Sequence, residues 1–313
     1  MITVRTLTAA DLPFAMRLKE QAGWNQTESD WRRILSLQPR GCFAAELDGR
    51  PVGTVCVSVF GPIGWIAMML VEQSVRGRGI GTRLMQQALA YLETTAVRTV
   101  RLDATPLGRP LYDKLGFVAE YELARWEGVA AGGATAAEVV PAGAEWLAAI
   151  GELDRQATGT DRRALLQRLN EEQPDALHVC LSGGQVATGE ATSVGCRTAT
   201  PGRHAGQEFA KPAVIRSPIL AGYFSLRWGS RAVQIGPLVA RDAAIGRVLA
   251  DAALHRCAGR LVFLDVPCAN RPAAQWAEQR GLRIQRPLLR MRRGEPVADR
   301  PDGLWGSFGP EKG

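Results

Sequence analysis

The residues best suited to chemistry lie in Val75-Arg76-Gly77-Arg78-Gly79-Ile80-Gly81-Thr82-Arg83-Leu84. Glycines at 77, 79 and 81 let a backbone approach a ligand closely and turn its amides inward. A helix N-terminus with free amides, aided by its dipole, holds phosphate. The spacing is not the dinucleotide G-x-G-x-x-G, because the third glycine comes one residue early. It is not a Walker loop, because no Gly-Lys-Thr or Gly-Lys-Ser follows. Taken alone, the loop implies a pyrophosphate and nothing more.

Such a loop needs a strand before it and a helix after it. The apolar run Gly64–Glu72 supplies the strand. Gly81–Thr94 supplies the helix, with Leu84, Ala88, Leu89 and Leu92 on one face. Before them, Ile2–Leu7 alternates as a strand, and Asp11–Gln21 reads as a helix started by Thr8 and Asp11. A second helix follows at Asn25–Ser36. Cys42–Leu47 and Pro51–Phe60 form a hairpin about Asp48-Gly49. Beyond the loop come a strand at Thr99–Ala104, a helix at Pro110–Leu115 and a strand at Val118–Trp126. The predicted order is β-α-α-β-β-β-α-β-α-β, an α/β layer.

Residues 127–137 carry few large side chains and read as an interdomain linker. The pattern then restarts with a strand at Glu138–Pro141, helices at Ala144–Ala157 and Asp161–Asn170, and a hairpin at His178–Leu181 and Gln185–Ala187. From Thr188 to Ala221 the rhythm breaks, which reads as an irregular insertion.

The chain has 313 residues, 46% hydrophobic and 22% charged. These values exclude a disordered chain and favour two domains. The net charge is +7, and residues 271–300 hold eight arginines against Glu278, Glu295 and Asp299. No aromatic-basic interleaving accompanies them, so a solvated surface is the better reading than nucleic acid. The six cysteines show no C-x-x-C pair and no metal spacing. No apolar run approaches the roughly 20 residues of a membrane span. The N-terminus lacks a signal-peptide pattern. A cytoplasmic protein without a metal is the expectation.

Two ordered motifs narrow the chemistry. Arg76-x-x-Gly79-x-Gly81 resembles the acyl-CoA motif R/Q-x-x-G-x-G/A of the GCN5-related N-acetyltransferases (GNAT). Downstream, Thr105-x-x-Gly108-x-x-Leu111-Tyr112-x-Lys114-x-Gly116-Phe117 resembles that family's N-x-x-A-x-x-L-Y-x-K-x-G-F. Thr105 and Gly108 depart from it. The resemblance covers residues 1–126 as a catalytic domain and implies acetyl-CoA as co-substrate. It implies that Arg76, Gly77, Arg78, Gly79, Ile80, Gly81 and Thr82 hold the pyrophosphate. The strand Met68–Val71 would splay from Leu102–Thr105 and take the pantetheine arm near Leu70 and Val71, with Thr105 opposite. Tyr112 would protonate the departing thiolate, although the same ring would suit plain packing. Glu72, Asp103 and Glu46 are carboxylates on candidate strands, and Asp103 ranks first as base. Trp24, Asn25 and Trp65 would wall the acceptor site, and each could equally be a core or rim residue. The acceptor would be a small-molecule or peptide amine. The competing reading is a non-catalytic CoA-responsive regulator.

A shift of 165 places Arg241, Ile245, Gly246 and Leu249 on Arg76, Ile80, Gly81 and Leu84. Asn270-x-x-Ala273 and Gly281 fall on the second motif, so residues 138–313 read as a second copy. The copy is degenerate: Asp242 stands for Gly77, Ala244 for Gly79 and Ala277 for Tyr112. It would complete the acceptor cleft, form a homodimer interface or hold a sensor pocket. The expected fold is two tandem GNAT-type domains, each a mixed, mostly antiparallel sheet flanked by helices.

Overall fold

The computed structural model describes residues 1–132, 138–182 and 218–310. The turn expected at 183–187, most of the irregular stretch and the end of the linker lie outside the described residues.

The first half runs β1 (Ile2–Thr6), α1 (Leu12–Gln21), α2 (Glu28–Leu37), β2 (Cys42–Leu47), β3 (Arg50–Phe60) and β4 (Ile63–Val71). It continues through α3 (Ile80–Glu93), β5 (Thr99–Ala104), α4 (Arg109–Lys114) and β6 (Val118–Val129). This is the expected order. The chain enters α1 and α2 through capping boxes, in which Asp11 and Asp30 accept the Thr8 and Thr27 N–H at 2.8 and 2.9 Å. The β2–β3 turn needs positive φ at Asp48 and Gly49, which this pair tolerates. Helix α3 buries Ile80, Leu84, Met85, Ala88, Leu89 and Leu92, its expected apolar face.

The second half runs β7 (Val139–Pro141), α5 (Leu147–Thr158), α6 (Arg163–Glu172), β8 (Leu177–Ser182), β9 (Ile219–Trp228) and β10 (Val233–Ala240). Then come α7 (Ala243–Arg256), β11 (Leu261–Pro267), α8 (Arg271–Gln279), β12 (Arg283–Gly294) and β13 (Leu304–Gly306). Two readings of composition are corrected. Glu127–Val129 is strand rather than linker and pairs Phe263, Val262 and Leu261. Gly128 is small because a Cβ there would come 2.7 Å from the Leu282 side chain. Ile219–Ala221 opens β9 rather than belonging to an irregular insertion.

The strands form one sheet in the order β1-β2-β3-β4-β5-β12-β6-β11-β10-β9-β8-β7, with β13 on β10. The halves therefore exchange their late strands. The second half's β12 pairs β5, from Leu289↔Ala104 to Gly294↔Thr99. The first half's β6 pairs β11, from Leu261↔Val129 to Pro267↔Leu123. One core cluster joins Trp31, Ile34 and Trp65 to Ile150, Leu165, Tyr223 and Phe308. Ion pairs cross the same boundary: Asp30, held by Arg33 within α2, accepts from Arg227, and Arg33 reaches Glu172. Of the late arginines, Arg280, Arg283, Arg290, Arg292 and Arg293 each face a carboxylate. No helix among the described residues is long and apolar enough to cross a membrane.

Candidate active site

β4 and β5 pair in parallel only over Ile63–Trp65 and Thr99–Arg101. Beyond that point they diverge. A cleft of about 970 Å³ opens between Ile66–Val71 on one side and Leu102, Asp103 and Thr105 on the other. The divergence starts at a bulge. The β3–β4 register shifts between Leu70↔Thr54 and Ala67↔Cys56, and Met68 takes φ +50. A bulge sharpens local twist and turns a strand away from its neighbour. Left-handed backbone costs a non-glycine residue roughly 1–2 kcal/mol. The Thr54 hydroxyl holds the distortion by donating to the Met68 carbonyl at 2.8 Å.

The glycine loop forms one end of this cleft. Gly77 and Gly79 sit at φ +78 and +82, where glycine is needed for backbone reasons alone. Gly79 precedes the first residue of α3, and no side chain caps that terminus. The amides of the first turn thus have no partner from within the helix, and the dipole favours an anion there. Gly81 is small because a Cβ would come 3.1 Å from Met69 and 3.4 Å from Leu111. Gly77, Gly79, Ile80, Gly81 and Thr82 line the cleft with Leu70, Val71 and Arg76. The Arg76 Nε–H donates to the Val71 carbonyl at 3.0 Å, tying the loop to β4. Arg78 lines an adjoining groove with Met1, Ile2 and Arg83, and Gly79 and Thr82 line both.

Tyr112 enters the cleft from α4. Its ring packs edge-on against Phe117 at 6.0 Å and over Gly108, whose Cβ would lie 3.0 Å from the ring. Glycine at 108, a departure from the family pattern, therefore makes room for this tyrosine. Burial pushes the phenol up to about 12, so it keeps its proton at neutral pH. Thr105 lines the cleft, and its hydroxyl accepts the Gly108 N–H at 3.3 Å, which shapes the turn into α4.

The remaining candidates divide. Trp24 and Asp103 line the cleft. Both Asp103 oxygens accept from Arg290 at 2.9 Å, and both side chains are buried. Asn25 faces away from the cleft. Its amide donates to the Ala232 carbonyl, and its oxygen accepts from the Arg231 and Ala232 N–H groups, which clamps the β9–β10 turn of the second half. Trp65 is also buried beneath the site, 4.7 Å under the Arg290 guanidinium. Sequence reasoning missed Arg286, Leu288 and Pro310, which line the cleft from the second half. Their only local signal was the arginine content around them.

The second half repeats this architecture with its cleft filled. β10 pairs β11 in parallel over Val233–Ile235 and then diverges. Into the gap comes β13, with Gly306 and Leu304 pairing Leu238 and Val239. The Ser307 N–H bonds the Asp265 carbonyl on the opposite lip at 2.8 Å. Trp305 lies where a Cβ on Gly246 would be, so it covers the position equivalent to Gly81. Asp242 caps α7 by accepting the Ala244 and Ile245 N–H groups at 2.9 Å each. A carboxylate of the chain thus satisfies the amides that the first half leaves open.

Comparison with known proteins agrees. Residues 8–117 match the model of the acetyltransferase (GNAT) family, and residues 208–306 match that of an acetyltransferase (GNAT) domain. An uncharacterized N-acetyltransferase of Bacillus subtilis, YitH, is 28% identical over 102 residues, 33% of this chain and 36% of that protein. The N-alpha-acetyltransferase MAK3 of Arabidopsis thaliana is 32% identical over 95 residues, 28% of this chain and 50% of that protein. The chain thus matches half or less of these relatives' lengths. A putative acetyltransferase from Pyrococcus horikoshii shares the fold at a TM-score of 0.75 and 23% identity, over 100% of this chain and 96% of that one. With both halves matched and the glycine-loop cleft in place, the chain belongs to the GNAT acetyltransferase family and carries two GNAT domains in tandem.

Proposed function

We propose that the chain is an acetyl-CoA-dependent N-acetyltransferase whose first domain is active. The observation that carries this reading is the contrast between the two clefts. The first has open amides at α3, an unpaired β4 edge and a buried tyrosine. The second is filled by β13 and Asp242. The residues of the first cleft fit the co-substrate. The first-turn amides and the dipole of α3 would hold its pyrophosphate. The β4 edge beyond Trp65 would pair with its pantetheine arm. Bound acetyl-CoA supplies a thioester carbonyl for direct attack by a primary amine, without an acyl-enzyme.

The Tyr112 hydroxyl would give its proton to the sulfur as the C–S bond breaks. The burial that raises the phenol would raise the basicity of an emerging thiolate in the same direction, which offsets the weaker acid. Asp103 has both oxygens committed to Arg290, so its sequence-based role as base gives way to one of holding that arginine. We assign the amine proton to water in the cleft.

Calorimetry with acetyl-CoA tests the reading. One site per chain is expected, abolished by Gly79→Glu, which sets a carboxylate beside the phosphate site. Two sites, or none, would overturn it.

A further inference from the structure

The chain does not stop at the filled cleft of the second domain. After β13 it runs back to the open cleft of the first. Arg290 holds Ser307 through its hydroxyl at 3.3 Å, while its other nitrogens bind Asp103 and the Tyr121 hydroxyl. Phe308 is buried, with the Arg162 guanidinium 5.1 Å over its ring. Pro310 then lines the first cleft, and its carbonyl accepts the Trp65 indole N–H at 3.1 Å.

Every residue that fixes this path is buried: Trp65, Arg290, Trp305, Ser307 and Phe308. Trp65 and Asp103, expected from the sequence at the acceptor wall and as base, anchor this path through Pro310 and Arg290. Arg290 lies between them, stacked on Trp65 and paired with Asp103. The same segment thus occupies one cleft as a strand and walls the other as a loop.

We propose that Leu304–Pro310 is a positioning element of the acetyl transfer site. The second domain grips it in the gap between β10 and β11, where the first domain would take pantetheine, and so sets Pro310 at the acceptor side of the first cleft. Pro310 is then specificity-determining: with its carbonyl held by Trp65, its ring fixes how far an amine enters. The glycine loop and Tyr112 do not depend on it. This inference rests on the donor reading above, because it assigns the Pro310 side of the cleft to the acceptor.

The test deletes Pro310 and all that follows, leaving β13, Trp305 and Phe308 in the full chain. Acetyl-CoA affinity is measured by calorimetry. Thiol release from acetyl-CoA is measured in water alone and with the twenty amino-acid amides as probes. Expected is an acetyl-CoA Kd within about twofold of the parent chain, with thiol release altered at least about fivefold in water or in the ranking of amides. Trp65→Phe, which removes the indole donor, should move the same readouts in the same direction. Unchanged thiol release in both variants would overturn the proposal. So would loss of acetyl-CoA binding in a deletion variant that keeps its circular dichroism and melting temperature. If the parent chain itself binds no acetyl-CoA, the donor reading fails first and this one falls with it.

Discussion

Asp103 and Arg290 face each other across the β5–β12 ladder, one from each half, joined by two hydrogen bonds of 2.9 Å. The pair is buried, so removing one partner leaves the other charge without compensation. Asp103→Ala should cost about 3–5 kcal/mol, while Asp103→Leu with Arg290→Met should recover most of it. Urea unfolding checks both. A stable Asp103→Asn chain with lost turnover would restore the carboxylate as base.

Tyr112→Phe separates an enzyme from a CoA-responsive regulator. As an acid, the hydroxyl contributes about 100- to 10,000-fold in kcat, with acetyl-CoA Kd within about twofold. Steady-state thiol release and calorimetry on one preparation give both numbers. Full turnover in the variant would remove Tyr112 from the mechanism.

The same residue predicts a pH dependence of stability. Its phenol is raised from the ordinary 10 to about 12 by burial. The raised value means the folded state holds the proton more tightly. The stability this represents is in place below about pH 10 and is lost as pH rises toward about 12, about 2–3 kcal/mol in all. The urea midpoint should therefore fall more steeply above about pH 10 in the parent chain than in Tyr112→Phe. Some slope should remain in the variant, because burial also pushes Tyr121 up to about 12.

The strand exchange sets what can fold alone. Residues 1–132 lack β12, which leaves Val100, Leu102 and Ala104 on an open edge of β5. Unpaired apolar edges aggregate. This fragment should be insoluble when made alone and soluble when made together with residues 138–313. A monomeric, folded fragment on size-exclusion chromatography would contradict the exchange.

Asp242 caps α7 with two backbone N–H groups. Asp242→Ala should lower stability by about 1 kcal/mol, the usual worth of such a cap. It should not create a second acetyl-CoA site, because β13 still fills the gap. A calorimetric stoichiometry of two would show that the aspartate alone kept the second cleft closed.

What the sequence made legible were features with a local signature. The glycine loop between its strand and helix, the Leu84–Leu92 face of α3, the helix start at Thr8 and Asp11 and the short helix at 110–115 each rest on residues a few positions apart, and each took its expected form. The partnership of Asp103 with Arg290 joins positions 187 residues apart and leaves no mark in either neighbourhood. Trp65 and Asn25 have the residue types of a pocket wall, but a side chain suited to ligand contact also suits an interface. Glu127–Val129 was misread for a related reason. Small residues mark a linker or a crowded strand equally well, and here Leu282 crowds Gly128.

The exchange of β6 and β12 also bears on inheritance. On the function proposed above, the second domain carries no transfer chemistry of its own, and such a domain is ordinarily free to be deleted. Here deletion would strip β5 of one of its two neighbours and β6 of both. The first cleft thus depends on the second domain's sheet but not on the second domain's own cleft. In this chain that second cleft holds a strand.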